Sequence, residues 1–318
     1  AAVLDPHSGT IATADSGGLV AVQRTGEASP QLLFHPGGPI SGALALVRGG
    51  SLLAVGDDEG SIGVYRTDTG EATFQEIREG ARGRVRAMRG VALSPDGGQL
   101  AAMAKDGILR VWDLTREERN AWRGFSGDTI HFDSRGQRLL AMDEDGQPRL
   151  MDLASLQALY MDKLQTPADH ARFTPDGTMV VAVGQAGISL LRVVDGALVG
   201  SFATKGGSGI ANLVLSPDGT KAGAVTQRSV HIFSLPDLQP VESRKHGAPH
   251  PTGAAFWSSQ GIRVAGNDGL MHSGGSGSAG HVTSVGGFGE FRLAAHSDKV
   301  ATWVKGKRML EFQSSGNI

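Results

Sequence analysis

The chain has 318 residues with 47 glycines, 13 prolines, no cysteine and 5% aromatic residues, a composition of turns and short strands in which glycine runs at about twice its usual share of roughly 7%. Thirty basic against 32 acidic residues leave a net charge of -2, so no global field draws in nucleic acid or an anionic membrane, and a charge-seeking partner must use a local patch. The missing cysteines exclude disulfides, thiolate metal sites and cysteine nucleophiles, the 40% hydrophobic content suffices for a core, and the longest apolar runs, such as Met179 to Val183, fall short of the roughly 20 residues a membrane helix needs.

From the N-terminus, residue 1 is alanine and the first methionine is Met88. No secretory signal pattern opens the chain, and the expectation is a processed product, an excised domain or a rearranged chain. A turn motif then recurs: Asp5-Pro6-His7-Ser8-Gly9, Ser94-Pro95-Asp96-Gly97, Asp133-Ser134-Arg135-Gly136, Thr174-Pro175-Asp176-Gly177, Ser216-Pro217-Asp218-Gly219 and Ser258-Ser259-Gln260-Gly261. The glycines from Gly97 to Gly261 stand 39, 41, 42 and 42 residues apart, a fixed period that marks a repeat architecture. Proline sets φ at the first corner, aspartate bonds its own backbone and glycine takes the left-handed position, so each copy predicts a hairpin turn.

A second turn follows about ten residues later in most copies, at Asp58-Glu59-Gly60, Lys105-Asp106-Gly107, Glu144-Asp145-Gly146, Gln185-Ala186-Gly187 and Asn267-Asp268-Gly269, and the short apolar run between two turns predicts a strand. Eight such strands are predicted: Thr10 to Ala14, Ser51 to Val55, Gln99 to Ala104, Arg138 to Met142, Met179 to Val183, Lys221 to Val225, Ile262 to Ala265 and Glu290 to Ala295. The third copy shows the unit in full, with strands at Ala87 to Leu93, Gln99 to Ala104, Ile108 to Asp113 and a more polar outer one near Arg119 to Arg123. No window carries a capped helical period; Ala154 to Asp162 is the nearest, and it is read as an outer strand.

Trp112-Asp113, closing a strand five residues after Asp106-Gly107, resembles the WD40 repeat, whose period of about 40 residues is one four-stranded propeller blade. The resemblance covers essentially the whole chain. Within it the Trp-Asp pair occurs once and a Gly-His pair once, at Gly280-His281, and propellers of the bacterial TolB and YVTN kinds also use Ser-Pro-Asp-Gly turns. The resemblance implies an all-β fold, one β-propeller domain over residues 1–318 built of four-stranded antiparallel blades. Eight blades are favoured; a seven-bladed alternative gives His281 to Val285 to the seventh blade and leaves 290–312 irregular.

Ser273 to Gly280 has no side chain larger than serine, the composition of a flexible coil, and it resembles an engineered linker more than a natural loop. Gly316-Asn317-Ile318 followed by Ala1 to Pro6 reads like Gly209 to Pro217. The expectation is a circular permutant, or two segments joined across a removed insertion, with 281–318 preceding 1–272; a natural glycine-rich loop is the plainer alternative.

Catalytic motifs are absent: no Walker loop, no His-Glu-x-x-His helix and no nucleophile elbow, so an enzyme is not expected and no cofactor is assigned. Lys205 to Gly209 lacks the following helix that would bind phosphate. The histidines form two loose pairs, His246 with His250 and His131 with His170, short of the three or four convergent ligands a metal needs. Asp57-Asp58-Glu59 and Asp143-Glu144-Asp145 fall in turns, where carboxylates cap backbone rather than catalyse.

One departure from the repeat carries a binding expectation. The interval from Gly50 to Gly97 is 47 residues, and its excess falls in the loop from Arg78 to Arg89, which holds five arginines in twelve positions. Arginine forks suit carboxylate and phosphate, and Trp122-Arg123-Gly124-Phe125 lies on the same predicted rim, with Lys205 and Arg244 to His246. Arg82, Arg84, Arg86, Arg89, Trp122 and Arg123 are therefore the expected partner contacts; the plainer reading is a solvated loop paired with Glu76, Glu79 and the acidic turns. The WD40 resemblance implies a noncatalytic scaffold for a protein or peptide with an acidic surface. The alternative is an extracytoplasmic accessory or sensor domain of a membrane assembly such as a transporter permease, binding a small anion. Neither nucleic acid binding nor direct membrane insertion is expected, and the compartment is left open.

Overall fold

The computed structural model describes residues 2–5, 8–15, 17–24, 30–40, 43–76, 87–116, 118–159, 161–203, 209–216, 218–247, 251–258, 261–266, 271–272, 284–286, 291–296, 299–304 and 307–313. All regular structure among them is strand. The chain divides into two compact units, Ala1–Phe132 with Glu290–Ile318, and Asp133–Gly289.

The first unit opens with three antiparallel meanders of four strands. These are β1 (Ala2–Asp5), β2 (Thr10–Ala14), β3 (Val20–Arg24) and β4 (Leu32–Phe34); β5 (Ala43–Leu46), β6 (Leu52–Gly56), β7 (Ile62–Arg66) and β8 (Ala72–Glu76); and β9 (Met88–Leu93), β10 (Gln99–Ala104), β11 (Ile108–Asp113) and β12 (Glu118–Arg123). β13 (Phe125–Phe132) packs on β9 and β10. The second unit contains β14 (Arg138–Asp143), β15 (Pro148–Asp152) and β16 (Gln157–Leu159); β17 (His170–Phe173), β18 (Met179–Gly184), β19 (Gly187–Arg192) and β20 (Leu198–Ala203); β21 (Ile210–Leu215), β22 (Lys221–Thr226), β23 (Ser229–Ser234) and β24 (Pro240–Lys245); then β25 (Pro251–Ser258), β26 (Gly261–Gly266), β27 (Met271–His272) and β28 (Ser284–Gly286). The first unit closes with β29 (Phe291–His296), β30 (Lys299–Val304) and β31 (Lys307–Gln313), and β29 neighbours β1.

All eight predicted second strands are present, as β2, β6, β10, β14, β18, β22, β26 and β29. One boundary differs from expectation: the outer strand in 154–162 is confined to Gln157–Leu159, while the span 290–312, irregular only in the seven-bladed alternative, carries strands β29 to β31. The linker-like segment 273–280, and the 314–318 and Ala1 ends of the proposed join, lie outside the described residues.

Burial explains the sequence pattern. β10, β14 and β18 share the pattern of one half-buried residue followed by five buried ones, because cores fill both faces of these strands. In the first unit one cluster joins Ala54 and Val64 to Leu100, Ala102 and Trp112, and another joins Ala12 and Val22 to Leu53 and Tyr65. In the second unit Leu140 and Leu150 pack with Val180 and Leu191, and Val181 and Leu190 with Ala224 and Phe233. A strand covered on both faces reads as a continuous apolar run, whereas the outer β20 alternates half-buried and exposed, the pattern of a strand with one wet face.

The recurrent turns are built by side chains. Ser94 Oγ donates to Asp96 Oδ1 at 2.5 Å and accepts the Gln99 N–H at 2.9 Å, Asp96 Oδ1 accepts the Gly98 N–H at 3.0 Å, and the Gly97 N–H closes the turn on the Ser94 carbonyl at 2.9 Å. Gly97 sits at φ 75° and Gly219 at φ 71°, a region that costs a residue with a Cβ. The same network recurs at Thr174 with Asp176 and at Ser216 with Asp218. At Asp5 one carboxylate oxygen does the serine's work, taking the Ser8 N–H and hydroxyl and the Gly49 N–H.

Hydrogen bonds from the Ser216 hydroxyl, the Thr220 N–H and the Thr220 hydroxyl lower the Asp218 pKa to about 2. A depressed carboxylate pKa stabilises the fold above the unfolded value of about 3.9, and that contribution is lost as pH falls through the folded value. Asp218→Asn is therefore expected to lower the urea midpoint at pH 7, with the difference shrinking below about pH 4, small by about pH 2 and lost only below it; unfolding curves at pH 7, 4 and 2 check the decline.

Candidate functional site

A site with unspent charge in the first unit lies at one end of the sheet β9 to β12. β9 begins, β10 ends, β11 begins and β12 ends there, as antiparallel pairing requires. Gly90 pairs with Met103 and Met88 with Ala104, which leaves Arg89 as the extra residue of a β-bulge. The Lys105 N–H bonds the Ala87 carbonyl at 3.0 Å, and the Phe125 N–H bonds the Gly107 carbonyl at 3.2 Å. These bonds tie β9, the β10–β11 turn and the end of β12 into one row. Arg89, Lys105 and Arg123 stand along it, exposed and without an ion pair among the described residues.

The supports beneath the row are fixed. Asp106 accepts the Ile108 N–H at 3.1 Å and binds Arg110 Nη2 at 2.7 Å, both side chains at most 10% exposed, so the turn's own acid is committed to an internal cation. Glu76 of β8 is divided between Arg119 Nη1 at 2.6 Å and Trp112 Nε1 at 2.7 Å, and Phe74 meets Trp112 at a tilt of 60° with ring centroids 6.0 Å apart. Acid also borders the row. The Asp57 carbonyl accepts the Met88 N–H at 3.0 Å, next to Asp58 and exposed Glu59, while the buried Asp57 carboxylate holds the Glu59 and Ser61 N–H groups. The surface is therefore a boundary between an acidic turn and a basic one.

Of the sequence-predicted contacts, Arg89, Trp122 and Arg123 come to this one sheet end. Arg89 is on the first strand and the other two are on the fourth, about 14 Å apart at the usual strand spacing. Trp122 is half-buried opposite Leu109. Arg82, Arg84 and Arg86, with Glu79 and Lys205, lie outside the described residues. The wider rim is smaller than expected: Phe125 is buried, Arg244 is held by the Ile262 carbonyl and Glu242, and His246 is 2% exposed with Nε2 on the Thr226 carbonyl at 3.0 Å. His250 lies outside the described residues, and among those described no three His, Asp or Glu side chains converge as metal ligands. Sequence reading missed Lys105 as a contact, although its place beside Asp106-Gly107 in a turn was the available signal. It also missed Arg110, whose side chain at an inner-strand position signals a buried partner.

A cleft lined by Pro36, Gly37, Asp57, Tyr65 and Gln75 is about the size of one water. Its polar groups bond one another, with the Tyr65 hydroxyl donating to the Pro36 carbonyl at 3.3 Å and accepting from Gln75 Nε2 at 2.9 Å. Burial raises the Tyr65 pKa, the Gln75 bond partly offsetting it.

Repeated four-stranded antiparallel meanders, buried on both faces at their inner strands, define a β-propeller. Among solved structures the chain is similar to the β-propeller domain of Cps50 (Swd1) from Myceliophteria thermophila, at 14% identity and a TM-score of 0.64 over 83% of this chain and 91% of that one. At that identity the likeness establishes the fold. No protein-family model matches the chain, and no curated protein matches it.

Removing one partner of a buried ion pair strands the other. Asp106→Ala is expected to cost about 3–5 kcal/mol, and the double variant Asp106→Ala/Arg110→Met less than that single change; urea unfolding of the three chains checks the order.

Proposed function

We propose that this propeller is a noncatalytic interaction domain that takes an acidic segment of a protein or peptide on the basic end of the β9 to β12 sheet. The observation that carries the reading is the row of Arg89, Lys105 and Arg123, three exposed cations without ion pairs among the described residues, held on a sheet whose strands β9 to β11 are largely buried. A rigid base lowers the entropy lost on docking. Arginines beside a half-buried tryptophan have the composition of an interface anchor. Arg82, Arg84 and Arg86 precede β9 in sequence, and the proposed contact set is these three with Arg89, Lys105, Trp122 and Arg123. Single-strand nucleic acid fits less well, because the row offers one aromatic side chain where stacking needs several. The rest of this end is occupied by internal bonds, which leaves recognition rather than chemistry as its use.

The test is a paired capture from cell extract with the chain and its variant Arg89→Glu/Lys105→Glu/Arg123→Glu, folding verified by circular dichroism. A partner retained by the first and lost by the second is expected, with retention falling as salt rises from 50 to 500 mM, since exposed charge pairs are screened. Equal retention by both chains overturns the reading.

A further inference from the structure

An edge strand offers a row of unpaired N–H and C=O groups to any chain that can lie beside it, and folds ordinarily blunt such edges by shortening, bulging or charging them. Most fourth strands described here are blunted by form. β4 and β16 have three residues each. β8, β20, β24 and β31 each carry a register break against the third strand, at Thr73, Val199, Val241 and Met309. β12 is different: its six residues pair in unbroken register, from Ile108 with Arg123 to Asp113 with Glu118. No bulge or shortening protects it; only side-chain charge does.

That charge selects what can approach. Alternation along β12 puts Arg119, Ala121 and Arg123 on one face, all exposed, and Glu118, Asn120 and Trp122 on the other, with Asn120 and Trp122 half-buried. The two arginines stand about 13 Å apart with a small residue between them. An added strand would set three alternate side chains opposite this face, where acids at the outer two are attracted, most strongly by Arg123, because Arg119 already shares Glu76. Its intervening side chains would lie over Trp122, where an apolar group is favoured. Lys105 and Arg89, in the row that leads away from Arg123, add positive potential on the approach.

Resting on the interaction reading above, we infer that the acidic partner binds as an extended strand added to the free edge of β12, with alternating acidic and apolar residues. Backbone bonds would then supply affinity, and Arg123 and Trp122 the choice of sequence.

A synthetic ten-residue peptide of alternating glutamate and valine tests this, with two derivatives methylated on alternate backbone nitrogens, one on the valines and one on the glutamates. Each removes the donors from one edge of the peptide only, so the side chains are unchanged. By fluorescence anisotropy the parent peptide is expected to bind, one methylated series to bind at least tenfold more weakly, and the other to match the parent. Hydrogen exchange should slow at alternate amides of β12, and Arg123→Glu should weaken the parent at least tenfold. Equal binding of both methylated series overturns strand addition while leaving acidic docking intact if the triple charge reversal still abolishes binding. Binding that survives the triple reversal removes the docking reading itself. No binding of the parent up to 1 mM, or a concentration-dependent dimer whose slowed amides are those of β12, overturns the inference in favour of no strand partner or of a second copy.

Discussion

A strand covered on both faces brings the backbone to its turn beside packed side chains, and the rest of this fold follows from how the groups buried there are satisfied. Backbone groups at the ends of β6, β10, β14 and β18 are next to packed side chains, so each hairpin has to provide its own donors and acceptors. One serine, threonine or aspartate at each turn does so within five residues of itself: Ser94, Thr174 and Ser216 in one set of turns, and Asp15, Asp57 and Asp143 in the other. Because the turn bonds are local, the buried contact between neighbouring sheets is chiefly a matter of apolar shape. The small residues of the inner strands, such as Ala101, Ala102 and Ala104, supply it.

This division of labour determines how much could be read from sequence. Turn chemistry is spelled in consecutive residues, so the Ser-Pro-Asp-Gly copies located the hairpins, and the apolar runs between them located all eight second strands within a residue or two. Strands whose identity comes from packing rather than local chemistry were less legible. β16 is three residues of a predicted nine, because no turn signal fixes its ends and only its hydrogen bonds to β15 define it.

The candidate site was legible in part for the same reason. Arg89, Trp122 and Arg123 could be assigned to one rim, since strand alternation and turn position fix which end of a sheet a residue occupies. What sequence does not show is which charges are already spent. His246 and Arg244 look available on paper, yet a carbonyl twenty residues away holds one and a carbonyl of β26, in the next sheet, holds the other. Conversely Lys105 looked like punctuation in a turn and has no ion pair among the described residues, because the aspartate next to it is turned inward to Arg110.

Trp112 links these themes. Its ring lies in the core shared by the second and third sheets, and its indole N–H reaches across to Glu76, which also grips Arg119 on the outer strand. The indole therefore senses the seam between two sheets rather than the interior of either. Its emission would redden as soon as that seam admits water, even with both sheets intact, so the residue that marks the repeat is also a built-in optical gauge of how firmly one blade is seated against the next.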